Sequence, residues 1–596
     1  MSTPRYIVGL DLGTTNSILA YIPISELDQD QQPETRILEI PQLVGPGTVA
    51  AQTMLPSFIY VPGEKDIAAD ARRLPWSDAV RFILGELARR RGAEVPERLI
   101  HSAKSWLCHT SVDRSEALLP WGSSPEIEKL SPVEASAAIL DHIRCAWNHR
   151  MAREDESLAL ENQDIYLTVP ASFDAVAREL TVRAAQMAQL SNVTLLEEPQ
   201  AAFYAWIAAT QGQWREAVSA GDRVLVCDIG GGTSDFSLIQ VSESAGNLEL
   251  ERIAVGSHLL VGGDNMDLAL AYAAANRMKS GGERLDAWQM RALWNRCRSA
   301  KETLLENTER QSVTVSILGR SSSVIGGTRK LELPRTVVEE VILDGFFPPC
   351  PATAHPEIGF RTGIQEAGLA YESDPAVTRH LAHFIRRQSD SASVFPTAIL
   401  FNGGVMKAPL IRNRIIEVLA SWQDGSAPRL LESTDLDLAV ARGAACYGLA
   451  RRGRGIRIRS GLNQSYYIGI AAALPAVPGM PAPIKALCVA PFGMEEDSET
   501  GLSEKVFNLI VGEKAKFEFL GSPVRTDDPV GTVIEDWESD IEPITTVETV
   551  LEGESGSVVP VSIQGRLTAV GTLELWCVAR ESDRRWKLEF NVRESS

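Results

Sequence analysis

The sequence predicts an α/β chain in which two lobes of similar plan are followed by a smaller all-β unit. Three observations carry this expectation. A strand–turn–strand pattern occurs twice in the same register, helical stretches follow each copy, and short alternating segments replace helices after about residue 464. At 596 residues the chain exceeds what one hydrophobic core organises, so several domains are expected.

Residues 1 to about 220 open with strands, read as helical from about 76 to 160, and close on a strand–turn–helix unit. From about 222 to 450 the same order returns, with long helices between 263 and 310 and a second strand–turn–helix. Beyond 464, segments such as 505–511 and 586–592 alternate with period two between Gly and Pro, the pattern of half-buried strands. Two Pro- and acid-rich stretches, about 25–50 and 344–375, read as surface insertions with little regular structure. Residues 451–459 hold five arginines and two glycines, which reads as a solvated tether; the alternative is that these arginines dock on the acidic first domain. The expected division is therefore a first domain over 1–450, a linker over 451–463 and a β unit over 464–596. Within the first domain, lobe I takes about 1–220 and 397–450, and lobe II about 221–396.

Composition narrows the function classes. The chain carries 58 Lys and Arg against 78 Asp and Glu, a net charge of −20, which argues against nucleic acid or an anionic membrane as principal partner. No signal-peptide pattern opens the sequence and no run of 18 apolar residues occurs. The eight cysteines are scattered without CxxC pairs, as expected of buried thiols in a reducing cytosol. A cytoplasmic protein is the expectation.

The duplicated pattern carries the chemistry. Residues 6–21 form an apolar strand ending at Asp11, a turn Gly13-Thr14-Thr15-Asn16, and a second apolar strand. Residues 223–239 repeat this with Asp228, the turn Gly230-Gly231-Gly232-Thr233, and a strand opening on Ser234-Asp235. Glycines let a backbone come close to phosphate oxygens, successive turn amides form an anion nest, and Thr hydroxyls add donors. An Asp beside phosphate is repelled unless a cation lies between them. A hydrated Mg²⁺ bridging phosphates suits one or two carboxylates, which assigns Asp11 and Asp228 to the metal. One D-x-G is most simply a hairpin turn, but two copies one domain apart point to a Mg²⁺-ATP/ADP clamp. Such a clamp belongs to the actin-like ATPase class, two ribonuclease-H-like lobes flanking a nucleotide cleft, here followed by a small β-sandwich.

Six segments in order make the chain resemble the 70-kDa heat-shock (DnaK-like) chaperone family. They are the two turns, 167–174 (LTVPASFD), 196–202 (LEEPQAA), 260–267 (LVGGDNMD) and 401–409 (FNGGVMKAP). The resemblance implies that Asp11 and Asp228 hold Mg²⁺ through water. It implies that Gly13, Thr14, Thr15, Asn16, Gly230, Gly231, Gly232 and Thr233 bind phosphates. Glu198 and Asp235 would position the attacking water, Thr233 would sit beside the γ-phosphate, and Lys104 falls where the family has its catalytic Lys. Such positioning and charge stabilisation carry most of phosphoryl transfer. Gly263, Arg298, Lys301, Gly403, Gly404 and Lys407 fall on nucleoside-contacting segments. Arg298 stands where the family has Glu and Leu305 where it has Ser; Arg298 either stacks on adenine or points to solvent.

The resemblance further implies unfolded or extended polypeptide clients, a J-domain co-chaperone and a nucleotide-exchange factor. Two departures stand out. An Arg/Gly tether replaces the family's hydrophobic linker, and strand-like alternation to Val592 leaves no sequence for a helical lid. The β unit is then either a lidless client groove or an accessory domain that binds no client. Three other functions share the superfold: a filament or scaffold, a small-molecule kinase, and a weakly catalytic protein in which ATP only sets conformation.

Overall fold

The computed structural model describes residues 3–588 apart from 28–32, 64–65, 110–111, 245–246, 258, 279–284, 308, 319–327, 358–370, 388–394, 434, 454–457, 459–461, 463, 473–482, 496–497, 503–504 and 569–572. The run Ile7-Val8-Gly9-Leu10 is continuously apolar rather than alternating, as a strand covered on both faces requires, and its side chains are buried. It belongs to the strand Tyr6–Leu12, which pairs antiparallel with Asn16–Pro23 on one side and parallel with Asp164–Val169 on the other. Val193–Glu197 extends the parallel side, and Arg36–Ile37 and Leu55–Pro56 extend the antiparallel side.

The second sheet has the same plan. Arg223–Ile229 forms a hairpin with Ser234–Ser244, Asn247–Val255 continues the antiparallel side, and Ala398–Asn402 followed by Arg429–Leu431 continues the parallel side. The duplication seen in the turns is therefore a duplication of whole sheets. Pairing also corrects the expected lobe boundary. Residues 398–431 belong to the second lobe's sheet, not to the first lobe. The five residues Ala398–Asn402 are all buried, and their main chain pairs with Arg223–Ile229 along one side and Arg429–Leu431 along the other. Only the last helix, Ala439–Arg451, returns to the first lobe, where it packs on Tyr6–Leu12 and Asp164–Val169.

That helix lies against Glu198–Ala209, which in turn touches Arg223–Ile229 of the second sheet, so the two helices interleave between the lobes. Their approach depends on Gly443, where a Cβ would fall 1.6 Å from the carbonyl oxygen of Ala201. Gly443→Ala is expected to force the helices apart and destabilise the first domain by about 1–3 kcal/mol, the usual effect of overfilling a packed core. A urea midpoint equal to that of the unsubstituted chain would contradict this contact.

Elsewhere helices start where local chemistry says they should. Pro132–Met151 begins with a capping box between Ser131 and Glu134, and Ala287–Glu306 begins with one between Asp286 and Gln289. The stretch expected to be helical from about 76 to 160 is more broken than its composition implied. It holds the strands Ile83–Leu84 and Leu99–Ile100, the helices Glu86–Glu94 and Ala103–Trp106, and the long helix Pro132–Met151. Of the two expected insertions, 25–50 contains the paired strands Ile40–Gly45 and Thr48–Gln52, whereas in 344–375 the described residues 347–357 and 371–375 hold no helix or strand and 358–370 lie outside the described residues.

The final unit is all-β. One five-stranded antiparallel sheet runs Val533–Ile534, Ile484–Ala490, Ser465–Ala471, Lys514–Ser522, Glu542–Val550. In the other, Ser498–Gly501 and Phe507–Val511 share one side of Ser557–Leu567, which continues to Leu573–Ala579 and Arg585–Leu588. The residues 589–592 expected to prolong the last strand lie outside the described residues. One buried apolar cluster runs from Leu10 and Leu167 through Phe173 and Val176 to Tyr466, Leu487 and Phe519, so the β unit shares a core with the first lobe.

Within the tether, 454–457 and 459–461 lie outside the described residues. What is described is not simply solvated. Arg452 pairs with Asp164 at 3.0 Å, and buried Ile458 donates its N–H to Tyr204 Oη at 2.7 Å. Counting arginines overlooked the isoleucine between them, whose apolar surface is better out of water. Among the described residues no helix is long and apolar enough to cross a membrane, and all eight cysteines are free thiols.

Candidate functional site

The two hairpins face one another across a cleft of about 680 Å³, within the range of small-molecule sites. Each Asp closes its strand at the floor, and each is held by a residue of the neighbouring parallel strand. Thr168 Oγ1 donates to Asp11 at 3.0 Å, and Asn402 Nδ2 donates to Asp228 at 2.7 Å. These partners follow from register, because Asp11 lies opposite Thr168 and Asp228 opposite Asn402 in the two equivalent pairings.

The turns interlock. A Cβ on Gly231 would meet Thr15 Oγ1 at 2.0 Å, and Gly403, at φ +88°, would place one 2.3 Å from the Ile229 carbonyl oxygen. Glycine is required at both positions, by space at the first and by backbone conformation as well at the second. Gly230 N–H bonds to Thr233 O at 2.9 Å and closes the second turn. The start of the helix Gly263–Met278 is tied to that turn by Gly263 N–H to Gly230 O at 3.0 Å and Asp264 N–H to Gly231 O at 2.7 Å.

Lys104, from the short helix Ala103–Trp106, ion-pairs with Glu198, the first residue of Glu198–Ala209. Lys104 is buried and Glu198 largely so, and Asp11 and Asp228 lie close enough to act on them. Burial raises the carboxyls of Asp11, Asp228 and Glu198 above their usual range, Asp228 strongly and Glu198 to about 7. Lys104 opposes the rise at Asp11 and Glu198. For Lys104, burial disfavours the charge, but Glu198 and Asp11 outweigh it and hold the ammonium protonated. The floor thus gathers three carboxyls, Asp228 buried and Asp11 and Glu198 partly so, around one cation, an arrangement with room for further positive charge.

That donor set fits a hydrated divalent cation. Asp11 and Asp228 line the cleft, and Asn402 leaves a buried amide oxygen without a hydrogen-bond partner among the described residues. Among those residues no group of three or more His, Cys, Asp or Glu side chains could hold a metal directly.

Most of the expected site residues come together here. Lys104, Glu198 and Thr233 line the cleft, as do Gly13 through Asn16, Gly230, Gly231, Gly263, Gly403, Gly404 and Lys407. Gly232 and Asp235 do not line it. A Cβ on Gly232 would meet Ser105 Oγ at 2.8 Å, and buried Asp235 accepts from Ser172 Oγ. Arg298 and Lys301 line the cleft but are engaged. Arg298 pairs with Asp264 and, at 2.8 Å, with Asp267; Lys301 pairs with Asp267 at 2.8 Å and donates to Gly263 O at 3.0 Å. The Arg298 guanidinium also lies 5.6 Å from the ring centre of Phe58, across the cleft. It therefore neither points to solvent nor stands free for a base.

Sequence reading missed Asp264 and Asp267, and it missed Ser102, whose hydroxyl reaches Asp264 at 3.1 Å from the other lobe. The acids lay within the quoted segment 260–267, but only the folded helices show them facing Arg298. Asp437 pairs with Lys407 at 2.6 Å and lines the cleft.

Duplicated sheets whose aspartate-ended hairpins meet across a cleft define a two-lobed cleft protein. The chain belongs to the Hsp70 family, whose model, described as Hsp70 protein, matches residues 7–344; its fold is accordingly the actin-like one. It is 28% identical over 448 residues to the chaperone protein HscA of Escherichia coli, covering 74% of this chain and 57% of that protein. It is also 28% identical over 348 residues to the chaperone protein HscA homolog of Acinetobacter baylyi, covering 57% of this chain and 46% of that one. The chain thus spans about half the length of the curated relatives it matches.

Proposed function

We propose that this protein is a chaperone-type ATPase that binds Mg²⁺-ATP between its lobes, hydrolyses it slowly to ADP and phosphate, and couples the two states to the β unit. The observation that supports this most is the pair of equivalent hairpins presenting Asp11 and Asp228 around the Lys104–Glu198 ion pair. Asp11 and Asp228 would hold the ion through water, oriented by Thr168 and Asn402. When bound, Mg²⁺ supplies the charge that neutralises the phosphates. The amides and hydroxyls of Thr14, Thr15, Gly230, Gly231 and Thr233 would cradle the phosphates. Lys104 offers a point charge to the terminal phosphate, and Glu198 holds the attacking water with Asp235 supporting it from behind. Gly403 and Gly404 let the backbone pass flat beside the nucleoside, while Arg298 and Lys301 shape that end of the cleft through Asp264 and Asp267.

The two sheets of 465–588 are read as a β-sandwich that takes extended polypeptide by main-chain pairing. A J-domain co-chaperone, a nucleotide-exchange factor and a cytoplasmic setting complete the proposal. The test joins two measurements: phosphate release by the full chain with Mg²⁺-ATP, and the same rate in the presence of unfolded polypeptide. Slow basal release that rises with polypeptide is expected. Turnover that responds only to a sugar or other small alcohol would replace this reading with a kinase, and ATP-dependent light scattering would replace it with a filament.

A further inference from the structure

We propose that the buried ion pair between Glu197 of the first lobe and Arg252 of the second is an interlobe strut that positions Glu198 for hydrolysis. Glu197 ends the strand Val193–Glu197 and directly precedes Glu198, so the backbone that places one places the other. Glu197 is 5% exposed, and each oxygen of its carboxylate faces an arginine. Arg178, from the helix Ala175–Met187 of the same lobe, donates to Oε1 at 2.7 Å and is itself anchored by Nε to Phe173 O at 3.1 Å. Arg252 reaches Oε2 from Asn247–Val255, the edge strand of the second sheet. Its side chain is 1% exposed.

The two arginines do different work. Arg178 fixes Glu197 within its own lobe, whereas Arg252 ties it to the other. A charge this deeply buried tolerates separation from its partner poorly, so a change in the angle between the sheets either carries Glu197 along or breaks the pair. Either event is felt one residue away at Glu198. The second interlobe bond nearby, Ser172 Oγ to Asp235, is a neutral hydroxyl on a carboxylate; the Glu197–Arg252 contact joins full charges. Neither Glu197 nor Arg252 lines the cleft, so neither is in place to touch nucleotide. Both are positioning residues, acting through the start of the helix Glu198–Ala209.

The inference rests on the Mg²⁺-ATP hydrolysis proposed above, and the experiment separates the two. In the full chain, Arg252→Met is expected to lower kcat about tenfold to a hundredfold, the scale of a small misplacement at a reacting centre, with KM for ATP nearly unchanged. Arg252→Lys keeps the charge and should recover most of the loss. Glu197→Gln should resemble Arg252→Met, and the double variant should be no worse than either single one, because both remove the same contact. The thermal shift on adding Mg²⁺-ATP reports whether each variant still folds and binds. A wild-type chain without turnover sinks the ATPase reading itself. Wild-type turnover with variants at parity, with additive losses, or with equal effects of Arg252→Met and Arg252→Lys sinks the strut alone.

Discussion

Replacing Lys104 with methionine is expected to reduce ATP turnover about a hundredfold to a thousandfold, the effect of losing one preorganised charge stabiliser at a reacting group. Lys104 is the cation among Asp11, Asp228 and Glu198, and its ion pair with Glu198 is largely withdrawn from solvent. Without it, Glu198 loses its main counter-charge and its carboxyl, already lifted to about 7 by burial, rises further. The consequence has a sign. A carboxyl whose folded pKa exceeds its unfolded value stabilises the fold only while protonated, so its contribution is lost as pH rises from about 4.5 through about 7. The nucleotide-free protein should therefore lose stability over that window. Lys104→Met should extend the loss to higher pH, and Glu198→Gln should flatten it. Urea midpoints at pH 5 and pH 8 read this directly, and single-turnover hydrolysis reads the catalytic arm. Wild-type turnover in Lys104→Met would remove Lys104 from the site.

Asp228→Asn is expected to separate folding from metal binding. Burial, reinforced by Glu198, lifts the Asp228 carboxyl well above its ordinary range, so ionising it in the free protein works against the fold. A neutral amide of the same shape removes that cost. The nucleotide-free variant should melt no lower than the wild type. Affinity for Mg²⁺-ATP should fall about 10–100-fold, as when an outer-shell partner of a metal is removed, while affinity for ATP in EDTA changes little. Isothermal titration with and without Mg²⁺ makes the comparison, and the Mg²⁺-ATP thermal shift should shrink in parallel. Equal losses in the two titrations would take the metal role away from Asp228.

The parts of the site legible in the sequence were those whose chemistry demands particular residue types at one place. An Asp ending a strand, glycines where phosphate must come close, and threonines as donors all sit within seven or eight consecutive positions, 11–17 and 228–235. Glu198 and Lys104 were reachable only through the resemblance, because a lone acid or lysine has no local signature. Thr168 and Asn402 stand 157 and 174 residues from the aspartates they orient. Strand register makes those partnerships, and register is not written in either segment alone. Arg298 shows the limit most clearly. On its helix it could face adenine or water, and the fold instead gives it two aspartates from the neighbouring helix.

The sequence by itself determined the duplicated hairpins, the α/β character of the two lobes and the β character of the last unit, because those rest on short-range periodicity and on turns that few residues can make. Tertiary structure decided where the second lobe ends, since a buried strand at Ala398–Asn402 joins whichever sheet has an open parallel edge. It also decided that Ile458 leaves water and that Arg252 meets Glu197, two matters of burial. Burial is settled by surfaces far apart in the chain, whose apolar and ionic terms count only once they have come together.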